Sequence, residues 1–117
     1  MPAQHSTPQT ARGGPVTALT LRQKQSLFVR MVALLIDYAT ELGYELTFGD
    51  AYAKSGHING SFHYKRLAID FNLFKDGKYL TKTEDHQPLG EFWESIGGSW
   101  GGRFKRKDGN HYSLGEL

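Results

Sequence analysis

The 117-residue sequence contains no cysteine. Disulfides and thiolate metal ligands are therefore both excluded, and any metal site must be built from His, Asp or Glu. A marked excess of one charge sign is also lacking. Fourteen Lys and Arg stand against twelve Asp and Glu, giving a net charge of +2. That mildly basic balance suits an anionic polymer or cell-surface partner but singles out no class by itself. No concentrated stripe of Arg, Lys and aromatic residues is present, which argues against a histidine-metal nuclease and against nucleic acid as partner. Long hydrophobic runs are absent too. The first apolar stretch, "LFVRMVALLIDYA" from Leu27, carries Arg30 and Asp37 and is periodic rather than continuous, so it fits neither a membrane span nor a cleaved leader. The length suits one modest domain, with a monomer as the default.

Residues 1–15 are polar and rich in Pro, Gly, Thr and Gln, and read as a flexible tail ahead of a domain over 16–117. "TLRQ" is a capping box, with Thr20 as N-cap and Gln23 reaching back. The helix it opens carries Leu27, Phe28, Met31, Leu34, Leu35, Tyr38 and Leu42 at core-face spacing and stops at Gly43. "YELTF" (44–48) alternates as a half-buried strand. The following "GDAYAKSGHINGS" is a loop. "RLAIDFNLF" (66–74) predicts a strand with Leu67, Ile69, Phe71 and Leu73 on its core face. "KDGK" (75–78) is a turn into a short strand at "YLT". A helix is expected in "QPLGEFWESIG", around Leu89, Phe92, Trp93 and Ile96, and short strands on either side of the "KDGN" turn. His57 is expected in a loop, and His86 near the surface as a structural residue. One long helix with short, turn-linked strands indicates an α+β fold with a small antiparallel sheet.

The chemistry concentrates on four residues. Asp70 sits in an otherwise apolar strand, where a carboxylate is costly unless paired. His63 lies just upstream, and "DGNH" sets Asp108 three residues before His111. Two histidines and one carboxylate leave a fourth position open on a zinc ion, the pattern of a catalytic rather than a structural site. A further acid outside the ligand set, Asp108, is placed to accept a proton from water. Seven extended residues span roughly 23 Å, so the chain between His63 and Asp70 must turn sharply, at 64–66.

"SFHYKRLAID" followed far downstream by "DGNH" resembles the signature of zinc peptidases with the hedgehog/DD-peptidase fold. These include D-alanyl-D-alanine carboxypeptidases and phage endolysins that cut the L-alanyl-D-glutamate bond. Ser61, His63, Ala68 and Asp70 match the first motif, with Arg66 at its Gly/Arg position. Asp108 and His111 match the second, and "WESIGGSWGGRF" looks like the Trp- and Gly-rich segment that precedes it. The resemblance covers about residues 20–114. It implies one zinc ion held by His63, Asp70 and His111, with Asp108 as catalytic base, and peptidoglycan stem peptide as substrate. Many relatives carry an arginine in the loop before the first motif. Here that stretch is "GDAYAKSGH", and Lys54 is its cation. Lys54, Ser61, Arg66, Arg103 and Trp100 are the candidates for holding substrate, although the glycines around Trp100 fit a core position better.

The resemblance implies an endolysin acting on the cell wall, made in the host cytoplasm and released through a holin, or carried in a virion. The alternatives are a D-alanyl-D-alanine carboxypeptidase and, from a different class, a non-catalytic zinc-containing wall-binding module. Retention of Asp108 disfavours the module.

Overall fold

The computed structural model describes residues 18–50 and 65–115. The predicted tail over 1–15, the loop from 51 and the residues Lys54, His57, Ser61, His63 and Tyr64 lie outside the described residues.

Helix α1 spans Leu21–Glu41. Its start is the capping box: the Gln23 N–H donates to Thr20 Oγ1 (3.1 Å) and the Thr20 N–H donates to Gln23 Oε1 (2.8 Å). Its end is a Schellman turn. Gly43, at φ 87°, donates to the Thr40 carbonyl (3.0 Å), and Tyr44 donates to that of Ala39 (2.9 Å). The buried face is narrower than the apolar spacing predicts. Phe28, Met31, Leu35 and Ala39 form it, whereas Leu34 is 50% exposed and Leu42 also faces outward. A stripe one residue wide at each turn suffices against a small sheet, so the flanking leucines stay in water.

The strands are β1 (Glu45–Phe48), β2 (Ala68–Lys75), β3 (Lys78–Leu80), β4 (Ser99–Trp100) and β5 (His111–Ser113). They form a five-stranded sheet in the order β1-β2-β5-β4, with β3 also on β2 and every pairing antiparallel. The β2–β3 hairpin turns through Asp76 and Gly77, both at positive φ (53° and 78°), the type I′ geometry that an Asp-Gly pair favours. Leu67, Ile69, Phe71 and Leu73 are all buried, as their alternation predicts. They meet α1 together with Leu89 and Trp93 of α2 (Thr83–Ser95). Trp93 is the hub of this core: it packs edge-on against Phe28 (5.8 Å) and Tyr112 (6.0 Å), and its indole N–H donates to the Ser113 carbonyl (2.8 Å).

Two expectations are corrected. Helix α2 starts at Thr83, before the predicted "QPLGEFWESIG", because the Asp85 carboxylate accepts the Lys82 N–H (3.0 Å) and Glu84 and Asp85 suit a helix N-terminus. Pro88 is then an interior residue rather than a starting one. The strand expected before "KDGN" is present as β4, paired with β5, but it ends at Trp100, well short of the turn. Gly101–Arg103 forms a turn of 3-10 helix, and the Gly101 carbonyl accepts from both Phe104 (3.1 Å) and Asp108 (2.9 Å), folding 103–108 into a closed loop.

Candidate metal centre

Antiparallel register builds the centre. Asp70 of β2 and His111 of β5 are direct cross-strand partners. The bonds from Phe71 N to Asn110 O (3.0 Å) and from Leu114 N to Leu67 O (2.9 Å) mark the hydrogen-bonded pairs of this ladder. Asp70 and His111 therefore form a non-hydrogen-bonded pair, the position at which facing side chains come closest. Both point away from the face that carries Ile69 and Tyr112. The Asp70 backbone is held on its other side as well: Gly49 donates to its carbonyl (2.7 Å), and its N–H donates to the Asp50 carbonyl (2.6 Å). A side chain on so restrained a strand is a rigid donor.

Asp70 Oδ1 lies 3.3 Å from His111 Nδ1. That is longer than an ordinary N–H···O bond. It equals the edge of a zinc coordination tetrahedron, because two ligand atoms each about 2.0–2.1 Å from one ion lie about 3.3–3.4 Å apart. Asp108 joins them, and one donor atom from each of the three lies within 4.8 Å of the others. His111 is 9% exposed, Asp70 half-buried and Asp108 exposed. One imidazole and one carboxylate converging from rigid strands, with an exposed acid beside them, fit a divalent zinc ion.

The second motif is a β-turn, closed by the His111 N–H on the Asp108 carbonyl (3.2 Å). Buried Trp100 supports it from below, its indole N–H donating to the Gly109 carbonyl (2.7 Å). Side chains at Gly90 or Gly102 would overlap the indole ring, so these glycines make room for it. Trp100 is 2% exposed and lies under the turn. This corrects its place among the substrate-holding candidates, since a ring in the core cannot line a cleft. Trp100→Phe removes that bond and leaves a buried carbonyl unpaired. The expected cost is about 1–3 kcal/mol, read from denaturant midpoints.

Arg66 is exposed and occupies the turn into β2 at φ 59°, where the sequence requires a sharp bend. Arg103 is held by Glu94 through Nε (3.0 Å) and Nη2 (3.2 Å), with Glu91 at 3.8 Å, and lies over the Trp100 ring. Its charge is committed to α2. Lys54, Ser61 and His63 lie outside the described residues.

His86 is the residue that sequence reasoning misplaced. It is 2% exposed, and its Nδ1 lies 2.8 Å from the Tyr112 hydroxyl. Burial pushes its imidazole down to about 4, against a smaller opposing pull from Asp85. The unfolded chain takes up a proton near 6.5, which the folded protein refuses until about 4. Stability is therefore full above pH 6.5, falls as pH drops towards 4 and levels below it. About 3 kcal/mol is expected from this group. Denaturant titrations between pH 7.5 and 4 test it, and a flat profile would contradict it.

The sequence profile of the family described as D-alanyl-D-alanine carboxypeptidase matches residues 54–114. The chain belongs to this family. The family is one of zinc peptidases with the hedgehog/DD-peptidase-like fold, and its matched segment runs through both motifs. The fold is similar to the crystal structure of the Serratia marcescens L-Ala D-Glu endopeptidase ChiX, with a TM-score of 0.64 at 19% sequence identity. The likeness covers 80% of this chain and 82% of that one. No curated protein matches the sequence. No described helix is long and apolar enough to cross a membrane.

Proposed function

We propose that this peptidase is zinc-dependent and hydrolyses the L-alanyl-D-glutamate bond in the stem peptide of bacterial peptidoglycan. The observation that carries the reading is the convergence of Asp70, His111 and Asp108 at zinc-ligand spacing. His63, Asp70 and His111 would hold the ion. Bound zinc supplies Lewis acidity that polarises the scissile carbonyl and acidifies water. The Asp108 carboxylate takes the proton of the attacking water and hands it to the departing amine. Exposed on its turn, it reaches the reacting atoms without being locked among the strands. The rigid Asp70–His111 pair keeps the reacting atoms in register with that acid.

The family description favours a second reading, a D-alanyl-D-alanine carboxypeptidase using the same residues. Lys54, Ser61, Arg66 and Arg103 are the groups proposed to hold substrate in either case, Arg103 being also paired with Glu94 of α2. The same proposal includes a monomeric phage lysin whose catalytic domain spans 16–117, released by a holin or carried in a virion.

The test is incubation of zinc-loaded protein with purified peptidoglycan, with and without chelator, and identification of new termini by mass spectrometry. New L-alanine carboxyl ends with matching D-glutamate amino ends support the endopeptidase. Released D-alanine supports the carboxypeptidase. Absence of any chelator-sensitive cleavage overturns both.

A further inference from the structure

The chain between β4 and β5 carries a run of cations, "RFKRK" (103–107), immediately before Asp108. Its backbone is pinned at both ends. The Gly101 carbonyl accepts from Phe104 (3.1 Å) and Asp108 (2.9 Å), and the Phe104 ring packs 5.3 Å from that of His111. The Lys107 ammonium makes a long 3.4 Å contact with the Gly102 carbonyl. Arg103 turns back onto α2, where Glu94 holds it through two bonds. The cations that remain are carried on a fixed loop at the rim of the metal centre.

Lys105, Arg106 and Lys107 are exposed, and among the described residues none of them forms an ion pair. The neighbouring acids are engaged elsewhere. Glu91 and Glu94 face Arg103, Asp85 caps the start of α2, and Asp108 clusters with Asp70 and His111. A chain whose net charge is only +2 thus gathers consecutive unpaired cations at one edge of its site. Like charges held together create a local potential that any polyanion relieves.

We propose that this loop docks a polyanion whose charges are phosphodiesters repeated along a flexible backbone without bases, such as a polyol-phosphate polymer of the bacterial wall. The inference goes beyond the peptidase reading and does not depend on it. Exposed side chains of this kind hold a single carboxylate only weakly. Several weak contacts suffice when one polymer carries all the partner charges, because each contact raises the effective concentration for the next. A phosphodiester recurs within the polymer backbone at every repeat, so side chains of one loop reach successive charges. Carboxylates on separate stem peptides are a disaccharide apart. The Arg106 guanidinium adds a planar donor fork that matches phosphate oxygens. The one aromatic ring of the run, Phe104, is applied to His111, which leaves no stacking platform of the kind that single-stranded nucleic acids use. A polymer held here lies beside Asp108 and keeps the metal centre against the wall.

The test measures binding of a fluorescently labelled glycerol-phosphate oligomer to zinc-loaded full-length protein, by anisotropy over a range of salt. The logarithm of affinity is expected to fall linearly with that of salt concentration. Lys105→Gln/Arg106→Gln is expected to weaken binding roughly tenfold and to make the salt slope shallower by about one to two. Arg22→Gln/Lys24→Gln removes the same charge from α1 and is expected to leave affinity and slope close to native. Absence of binding, or equal loss in the two double variants, overturns the loop as the docking site. Oligoglutamate or oligodeoxythymidylate of the same length bound as tightly overturns the base-free phosphodiester polymer as its partner. These titrations need no turnover. A protein that binds the oligomer but cleaves no peptidoglycan therefore refutes the peptidase reading alone.

Discussion

Asp108→Ala is expected to lower kcat by roughly 10²–10⁴-fold while leaving the fold and zinc binding in place. The bonds that shape this turn belong to the backbone: Asp108 N to Gly101 O, His111 N to Asp108 O, and the Trp100 indole to Gly109 O. Removing an exposed carboxylate breaks none of them. It removes the acid that clusters with the Asp70–His111 pair among the described residues, and the proton of the attacking water then loses its proposed acceptor. Turnover of a stem peptide, zinc stoichiometry and a thermal melt are to be measured together. Unchanged turnover would show that another group is the base. Zinc loss with the fold intact would show that Asp108 is a ligand instead.

Asp70→Asn is expected to produce the largest change in metal affinity. Loss of a partner behind a metal ligand already costs 10–100-fold, so loss of a charged ligand is expected to cost roughly 100-fold or more. The replacement is nearly isosteric, and the Asp70 backbone stays bonded to Gly49 and Asp50 on one side and aligned with His111 on the other. The strand should therefore survive. Competition with a chromophoric chelator measures the affinity, and denaturant unfolding with and without zinc separates a lost ligand from a lost fold. An Asp70→Asn protein that binds zinc as the native chain does would remove Asp70 from the site.

What was legible in advance follows the range of each interaction. Thr20, Gln23 and Gly43 act over three to five residues, so both ends of α1 can be read directly from the sequence. The alternation of Leu67, Ile69, Phe71 and Leu73 is as local, and it places Asp70 on the opposite face. Leu34 and Leu42 failed as core residues because a helix with apolar residues over a wide arc does not say which part meets the sheet, and Ala39 took the seam. His86 failed for a related reason, since nothing near it in sequence distinguishes an exposed ring from one seated on Tyr112. The glycines beside Trp100 did point to the core, where the ring lies under Gly109.

By itself, the sequence determined the extent of α1, the alternation of β2, the hairpin at Asp76–Gly77, and a metal chemistry confined to histidine and carboxylate. Those features depend on residue type and on neighbours within a turn. The tertiary structure alone decided that Asp70 faces His111, 41 positions further along the chain, at 3.3 Å, that Trp100 underpins the turn carrying Asp108, and that His86 opens onto a cavity beside it. Strand register across such a separation is set by burying Ile69 and Tyr112 on the same face, and no local interaction encodes it.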